Sequence, residues 1–133
     1  MKFFYKRYAP GVIRPVIPIE LRSGGKRLRY EALIDSGADE CILDAQLAQI
    51  LGINYRRGIK RMVGGITGAE QVYYACPVVI GAGEWSFETL VGFMPNMPDF
   101  GYGVLGQKGF FENFVVKFDY TKLEIQLSAR VKN

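Results

Sequence analysis

Apolar and polar residues alternate along most of the chain with a period of two, which is typical of β-strands that bury one face. Glycine-rich or polar turns separate the alternating stretches, and a helical period of 3.6 is rare. The pattern therefore predicts a mostly β protein. The predicted strands are residues 12–21, 27–34, 41–43, 58–63, 69–80, 84–93, 114–118 and 123–127.

Two short segments interrupt this pattern and predict helices. Asp44 can cap a helix over residues 45–51, with Gly52 ending it. Residues 107–113 predict a second short helix after a loop at 94–103, where proline and glycine recur. The expected fold is all-β with one or two short helices, in a single domain over residues 1–133. About eleven residues are expected to precede the first strand.

Length and composition suit one ordinary globular domain. The chain has 133 residues, of which 49% are hydrophobic and 23% are charged. No apolar run approaches the roughly 20 residues that a membrane-spanning helix needs, and the apolar stretch near the start is too short for a signal peptide. We expect a cytoplasmic protein with no membrane partner.

Charge and cysteine content add little to the functional picture. The net charge is +4, and residues 1–61 carry 12 basic and 6 acidic side chains. This basic half could attract nucleic acid, but its charges scatter over hairpins, which favours a solvated face and no nucleic-acid binding. Cys41 and Cys76 lie among apolar neighbours and are expected to be buried free thiols.

The complete absence of histidine excludes several kinds of active site. Neither a Ser-His-Asp nor a Cys-His catalytic unit can be built, and zinc sites that depend on imidazole are excluded too. No glycine-rich loop carries the Lys-Ser/Thr pair of a phosphate-binding loop. We predict no metal or cofactor, so hydrolytic chemistry would depend on carboxylates, lysine or a hydroxyl.

The triplet Asp35-Ser36-Gly37 is the main candidate for chemistry. It follows the apolar end of a predicted strand, and glycine allows the sharp turn that would push the carboxylate into a shared site. The alternative is a simple Asx-turn at the end of a strand. Because the triplet occurs once, a second carboxylate would have to come from another copy of the chain.

Three segments resemble, in order, the retropepsins, which are the retroviral-type aspartic proteases. They are residues 32–39 around Asp35, residues 62–68 with their glycine-rich tip, and residues 103–106. The resemblance covers roughly residues 12–127. It implies a closed, barrel-like fold and a symmetric homodimer with the site on the two-fold axis. It also implies an aspartic endopeptidase that cuts extended peptide segments without a cofactor.

The resemblance also implies a role for each matching residue. Asp35 would be the catalytic carboxylate, Ser36 would hydrogen-bond across the dimer, and Gly37 would allow close approach of substrate and the partner. A water between the two Asp35 carboxylates would attack the peptide, under a flap formed by the glycine-rich hairpin. The residues implied in substrate binding are Ala38, Asp39, Gly64, Gly65 and Ile66.

The chain departs from the family pattern at Gln107 and Lys108, where viral enzymes usually place arginine and then an acid or amide. The charge partner of Asp39 within its own chain is therefore missing. Arg14 resembles a family arginine that pairs with the partner's equivalent of Asp39. A second function stays open, a binding or assembly module of the same fold that holds peptide without cutting it. The intact Asp35 favours the enzyme.

Overall fold

The computed structural model describes residues 1–64, 70–98 and 101–130. These residues form twelve strands, one α-helix and a 3₁₀ turn at Tyr55–Arg57. The elements before the turn are β1 (Lys2–Phe4), β2 (Lys6–Ala9), β3 (Val12–Arg14), β4 (Val16–Ser23), β5 (Lys26–Ile34), β6 (Cys41–Asp44) and α1 (Ala45–Ile50). Those after it are β7 (Ile59–Gly64), β8 (Glu70–Ala82), β9 (Trp85–Met94), β10 (Gly103–Leu105), β11 (Phe114–Asp119) and β12 (Glu124–Ala129).

Six strands close into a barrel, in the order β4, β5, β10, β6, β9 and β8. Closure comes from β8 pairing antiparallel with β4, where Glu20 lies opposite Gly81 and Leu21 opposite Ile80. Strand β7 extends the sheet beyond β8 as the second arm of a long hairpin. Because a closed sheet has no open edge, the barrel satisfies its own backbone groups. The predicted all-β, barrel-like fold is confirmed.

Alternating side chains fill the barrel. On β4, Ile17, Ile19 and Leu21 are buried while Pro18 between them is exposed, as the period of two predicts. The other strands also contribute buried side chains, and Phe110 and Phe114 pack in the same core. The largest fully buried side chains include Phe93, Phe110, Phe114, Ile17, Leu21, Leu43, Ile80 and Leu105.

The first predicted helix is confirmed as α1. The Asp44 side chain accepts a hydrogen bond of 2.9 Å from the backbone N–H of Gln46, which caps the helix as expected. Leu51 forms the C-cap, and Gly52 follows it. The buried side of the helix, Ala45, Leu47 and Ala48, faces the core.

The second predicted helix, at residues 107–113, is wrong. The segment forms hydrogen-bonded turns, in which the N–H groups of Phe111 and Glu112 reach the carbonyls of Gly106 and Gln107, five residues back. Gly109 adopts a φ of +95°, which a right-handed helix does not allow. Its N–H instead donates to the Glu112 side chain at 2.7 Å.

The expectation that no strand precedes residue 12 is also wrong. Strand β1 pairs with β12, which pairs with β11 in a separate three-stranded sheet, and β2 forms a hairpin with β3. The half-buried Phe3 packs against the core, and Lys2 forms an ion pair of 3.4 Å with Glu124. Pro15 divides the predicted strand 12–21 into β3 and β4, because proline has no N–H to donate to a neighbouring strand.

Candidate active site

Asp35 lies where two parallel strands end. Strand β10 runs beside β5 with Leu105 opposite Ile34, and the N–H of Asp35 donates to the carbonyl of Leu105 at 2.9 Å. This hydrogen bond extends the β5–β10 pairing by one residue, so the backbone of Asp35 is fixed by the barrel. Asp35 therefore lies at the rim of the barrel, where the strands end, and the residue is half-buried.

The residues after Asp35 form a tight turn around its carboxylate. The N–H of Gly37 donates to Oδ1 of Asp35 at 2.9 Å, and the N–H of Ala38 donates to the Asp35 carbonyl at 3.2 Å. The turn is therefore an Asx-turn, and that geometry coexists with the candidate site instead of replacing it. Ser36 and Gly37 are exposed at the surface.

The segment after β10 holds this turn from behind. Gln107 donates from its backbone N–H to the Ala38 carbonyl and from Nε2 to the Ser36 carbonyl, both at 2.8 Å. The N–H of Lys108 donates to the Asp39 carbonyl at 2.9 Å. Sequence reasoning treated Gln107 only as a lost charge partner and missed this contact. The residue type itself was the available signal, since an amide side chain can donate a hydrogen bond to a backbone carbonyl.

Gly106 permits this close approach of the two segments. A Cβ atom at this position would lie 2.4 Å from the carbonyl oxygen of Glu40 and 2.7 Å from that of Ala38. Both neighbours are backbone atoms, so neither can rotate away. The Leu105-Gly106 part of the family pattern thus has a physical reason in this chain.

The other predicted site residues differ in their exposure and in whether they lie in the described part of the chain. Ala38 is half-buried in the turn, Asp39 is exposed, and Gly64 ends β7 opposite Glu70. Gly65 and Ile66 lie outside the described residues. Among the described ion pairs Asp39 takes no part, and Arg14 donates to the carbonyl of Ile13 at 3.0 Å. The pairing of Arg14 with a partner's Asp39 stays a prediction.

A buried carboxylate next to the turn was missed altogether. Glu40 is 6% exposed, and its Oε1 accepts hydrogen bonds from Arg61 Nη1 at 2.8 Å and from the Tyr73 hydroxyl at 2.6 Å. Burial, followed by the hydrogen bond to Glu40, raises the pKa of Tyr73 to about 12. We call Glu40, Arg61 and Tyr73 the Glu40 cluster. The only sign of this cluster in the sequence is that Glu40 directly precedes the apolar strand predicted at residues 41–43.

Both cysteines are buried free thiols, as predicted. Burial raises the pKa of the Cys41 thiol to about 11, although the Gly106 N–H that points at its sulfur opposes the shift. The thiol is therefore protonated at neutral pH. Within residues 1–64, 70–98 and 101–130, no three cysteine or acidic side chains gather into a metal-binding group.

The geometry agrees with a comparison of sequences. The profile of a family described as aspartyl protease matches residues 19–108, which include the Asp35 turn and the Leu105-Gly106 segment. The chain belongs to the aspartyl protease family. Among curated proteins, no sequence matches this chain.

Solved structures of two aspartic proteases are similar to this fold. The EIAV protease, solved in complex with the inhibitor HBY-793, is 25% identical with a TM-score of 0.50 over 71% of this chain and 82% of its own. A retropepsin-like aspartic protease from Rickettsia conorii is 16% identical with a TM-score of 0.58, over 96% of this chain and 90% of its own. These matches confirm the retropepsin-like fold.

None of the helices in the described part of this aspartyl protease family member is long and apolar enough to cross a membrane.

Proposed function

We propose that this protein is an aspartic endopeptidase that hydrolyses peptide bonds between the two Asp35 carboxylates of a homodimer. One observation carries the proposal. The backbone of Asp35 is fixed by Leu105 and its Oδ1 by the Gly37 N–H, while the carboxylate stays partly open at the barrel rim. A reactive group needs this combination of a fixed position and access to substrate.

The chemistry requires two such carboxylates close together. Like charges at short range cannot both ionise, so a pair of Asp35 side chains shares one proton. The ionised carboxylate takes a proton from a water molecule, which attacks the scissile carbonyl, while the protonated one donates to the carbonyl oxygen. The tetrahedral intermediate collapses when a proton passes to the amine, which leaves as the new N-terminus.

The second Asp35 comes from a second copy of the chain in this proposal. A two-fold axis beside the turn brings each Asp35 next to its equivalent, because a symmetric interface places identical residues face to face. The exposure of Ser36 and Gly37 in the single chain supports an interface there. Ser36 then hydrogen-bonds across the axis and Gly37 lets the two turns approach closely.

Substrate in this proposal lies between the turn and the β7–β8 hairpin. Ala38 and Asp39 contact its main chain from below, and the hairpin, with Gly64, Gly65 and Ile66, closes over it as a flap. Closure would exclude water from the reacting bond. The preferred substrate is an extended and mostly apolar peptide segment.

Peptide cleavage tests the activity directly. The purified protein and its Asp35→Asn variant are incubated with a diverse peptide library from acid to neutral pH, and products are read by mass spectrometry. We expect cleavage by the parent protein alone. Binding of peptides without cleavage by either protein would favour the non-catalytic module.

Subunit mixing tests whether the site is shared. The active protein is allowed to exchange subunits with a ninefold excess of Asp35→Asn, so that most active chains pair with an inactive one. If both carboxylates are needed, the cleavage rate falls to about a tenth. An unchanged rate would show that each Asp35 acts alone and would contradict the shared site.

A further inference from the structure

The Glu40 cluster joins two parts of the molecule that the proposed function needs to keep in register. Glu40 directly follows the Asp35 turn, whereas Arg61 lies on β7 and Tyr73 on β8. Arg61 and Tyr73 are opposite one another in the β7–β8 pairing. Both arms of the hairpin therefore reach a single oxygen atom, Oε1 of Glu40.

The backbone of Glu40 is held independently of its side chain. It forms a bridge to Lys108, and its carbonyl oxygen lies so close to Gly106 that a Cβ there would be 2.4 Å away. Gly106 and Lys108 belong to the segment that also holds the Asp35 turn. The position of the Glu40 carboxylate is thus set by the base of the candidate site.

Tyr73 is held as firmly on the hairpin side. Its ring lies against the backbone of Gly92 on β9, where an added Cβ would come within 2.4 Å of the ring. The residue is 6% exposed, so its hydroxyl has little access to water as an alternative partner. A shift of the hairpin relative to the turn would break the bond between Tyr73 and Glu40.

The buried charge of Glu40 restricts the position of the hairpin more than apolar packing would. Glu40 is the one charged residue that is buried among the described residues. A buried carboxylate is stable only when it is paired and hydrogen-bonded, so the hairpin geometries available to the protein are those that keep Arg61 and Tyr73 on Oε1. Apolar contacts alone would tolerate sliding, because they are not directional.

We propose that the Glu40 cluster is a positioning contact, which fixes the β7–β8 hairpin over the Asp35 turn and thereby sets how tightly the site holds peptide. The inference rests on the proposed function, since it assigns the hairpin a role in binding. None of the three residues touches the reacting atoms. Their loss should therefore weaken binding and raise KM more than it lowers kcat.

The test uses variants with close matches on the same strands. Tyr73→Phe removes only the hydroxyl that bonds Glu40, and Tyr74→Phe removes the neighbouring hydroxyl on the opposite face of β8. Arg61→Met removes the charge, Arg61→Lys keeps it, and Lys60→Met is the matched control on β7. Each variant is assayed at a temperature where it is fully folded, as shown by its own melting curve.

Three quantities are measured for each variant, namely the Kd for a statine-containing peptide by calorimetry, and the kcat and KM for a cleaved peptide. The statine hydroxyl mimics the tetrahedral intermediate. We expect Tyr73→Phe and Arg61→Met to weaken the statine peptide by about tenfold, with Arg61→Lys recovering part of the loss. The controls should stay within about twofold of the parent. Lower melting temperatures with unchanged Kd and KM would overturn the proposal and leave the cluster a purely structural feature.

A separate measurement distinguishes failure of this inference from failure of the proposed function. If the parent protein neither cleaves peptides nor binds the statine peptide, the proposed function is wrong. In that case, the effect of the Glu40 cluster on the Asp35 turn is tested by hydrogen exchange at the amides of Asp35, Gln107 and Lys108. These amides form the hydrogen bonds between the turn and the segment that contains β10. Faster exchange there in Tyr73→Phe than in Tyr74→Phe supports the contact, and equal rates contradict it.

Discussion

Asp35 and Glu40 are five residues apart, yet their surroundings differ in almost every respect. Asp35 is half-buried at the barrel rim, and its carboxylate accepts a hydrogen bond from the N–H of Gly37 within its own turn. Glu40 is buried and accepts from two side chains of a distant hairpin. One carboxylate is fixed but open, while the other is buried and held through Oε1 by two side chains of its own chain.

The difference shows how one short segment can hold both a carboxylate that is open at the surface and a carboxylate that is buried and paired. An acid that is satisfied within its own chain contributes to shape, because any movement exposes an unpaired charge. An acid whose position is fixed by the backbone but whose side chain is open can take a partner from outside. The proposed function assigns that partner to a second copy of the chain.

The largest expected effect is on activity, from Asp35→Asn. The amide cannot accept a proton from water, so cleavage should fall by a factor of about 10³ or more. The free energy of unfolding should change by less than about 1 kcal/mol, because the half-open side chain supports little of the fold. Peptide cleavage and urea unfolding of the same preparation check both expectations. A large loss of stability would mean that Asp35 resembles Glu40 after all.

In contrast to Asp35→Asn, Glu40→Ala should have its main effect on stability. Removing the carboxylate leaves Arg61 and the Tyr73 hydroxyl without their shared acceptor, which we expect to cost about 3 kcal/mol of unfolding free energy. Urea unfolding at pH 7 measures this, with Glu124→Ala, which removes the ion pair between the half-buried Glu124 and Lys2, as a control. A cost no larger than that of the control would contradict the importance of the buried contact.

Gly106→Ala tests the segment after β10, which lies against both the Asp35 turn and the backbone of Glu40. The new Cβ would clash with the carbonyl oxygens of Glu40 and Ala38, so one of the two segments must move. We expect a loss of about 2 kcal/mol in stability together with a loss of cleavage. Gly25→Ala, at a hairpin turn where the added Cβ meets nothing within 4 Å, is the matched control. Full activity in Gly106→Ala would show that the Asp35 turn does not depend on the close backbone approach at Gly106.

The smallest effect concerns the pH dependence of stability through Tyr73. In the unfolded chain its hydroxyl ionises near its ordinary pKa of 10.0, but in the folded protein the pKa is about 12. Between these values the unfolded chain binds fewer protons, so the contribution of Tyr73 is complete below pH 10 and is lost as pH rises through about 12.

The stability difference between the parent and Tyr73→Phe should therefore shrink from pH 9.5 to pH 12. Unfolding curves of both proteins across this range measure it, and the comparison cancels the titration of all other groups. A constant difference would show that burial and the hydrogen bond to Glu40 do not raise the pKa of Tyr73.

Most of the barrel could be predicted from sequence because its strands bury one face. The alternation around Ile17, Ile19 and Leu21 marks β4 directly, and the Asp44 cap marks α1. The Asp35 turn was predictable for the same reason, since it combines a strand end with a distinctive triplet. These signals are local and need no knowledge of the partner strands.

The features that the sequence did not predict depend mostly on partners far away along the chain. Strand β1 has three residues and exists through its pairing with β12, where Lys2 lies opposite Gln126. The contact of Glu40 with Arg61 and Tyr73 depends on the register of β7 and β8. The failure at 107–113 had a different origin, because Gly109 within the segment adopts a positive φ that a right-handed helix does not allow.

The strand order around the candidate site has a consequence for folding. Strands β5 and β6 are consecutive in sequence, yet β10 lies between them, with Val104 opposite both Leu33 and Ile42. The link from β5 to β6 carries Asp35, so this loop takes its final shape only when a strand from some seventy residues later has been inserted. Contacts of such long sequence separation form late, because the intervening chain must first lose its freedom. A chain still emerging from the ribosome would therefore hold the Asp35 turn unassembled until synthesis had passed residue 105.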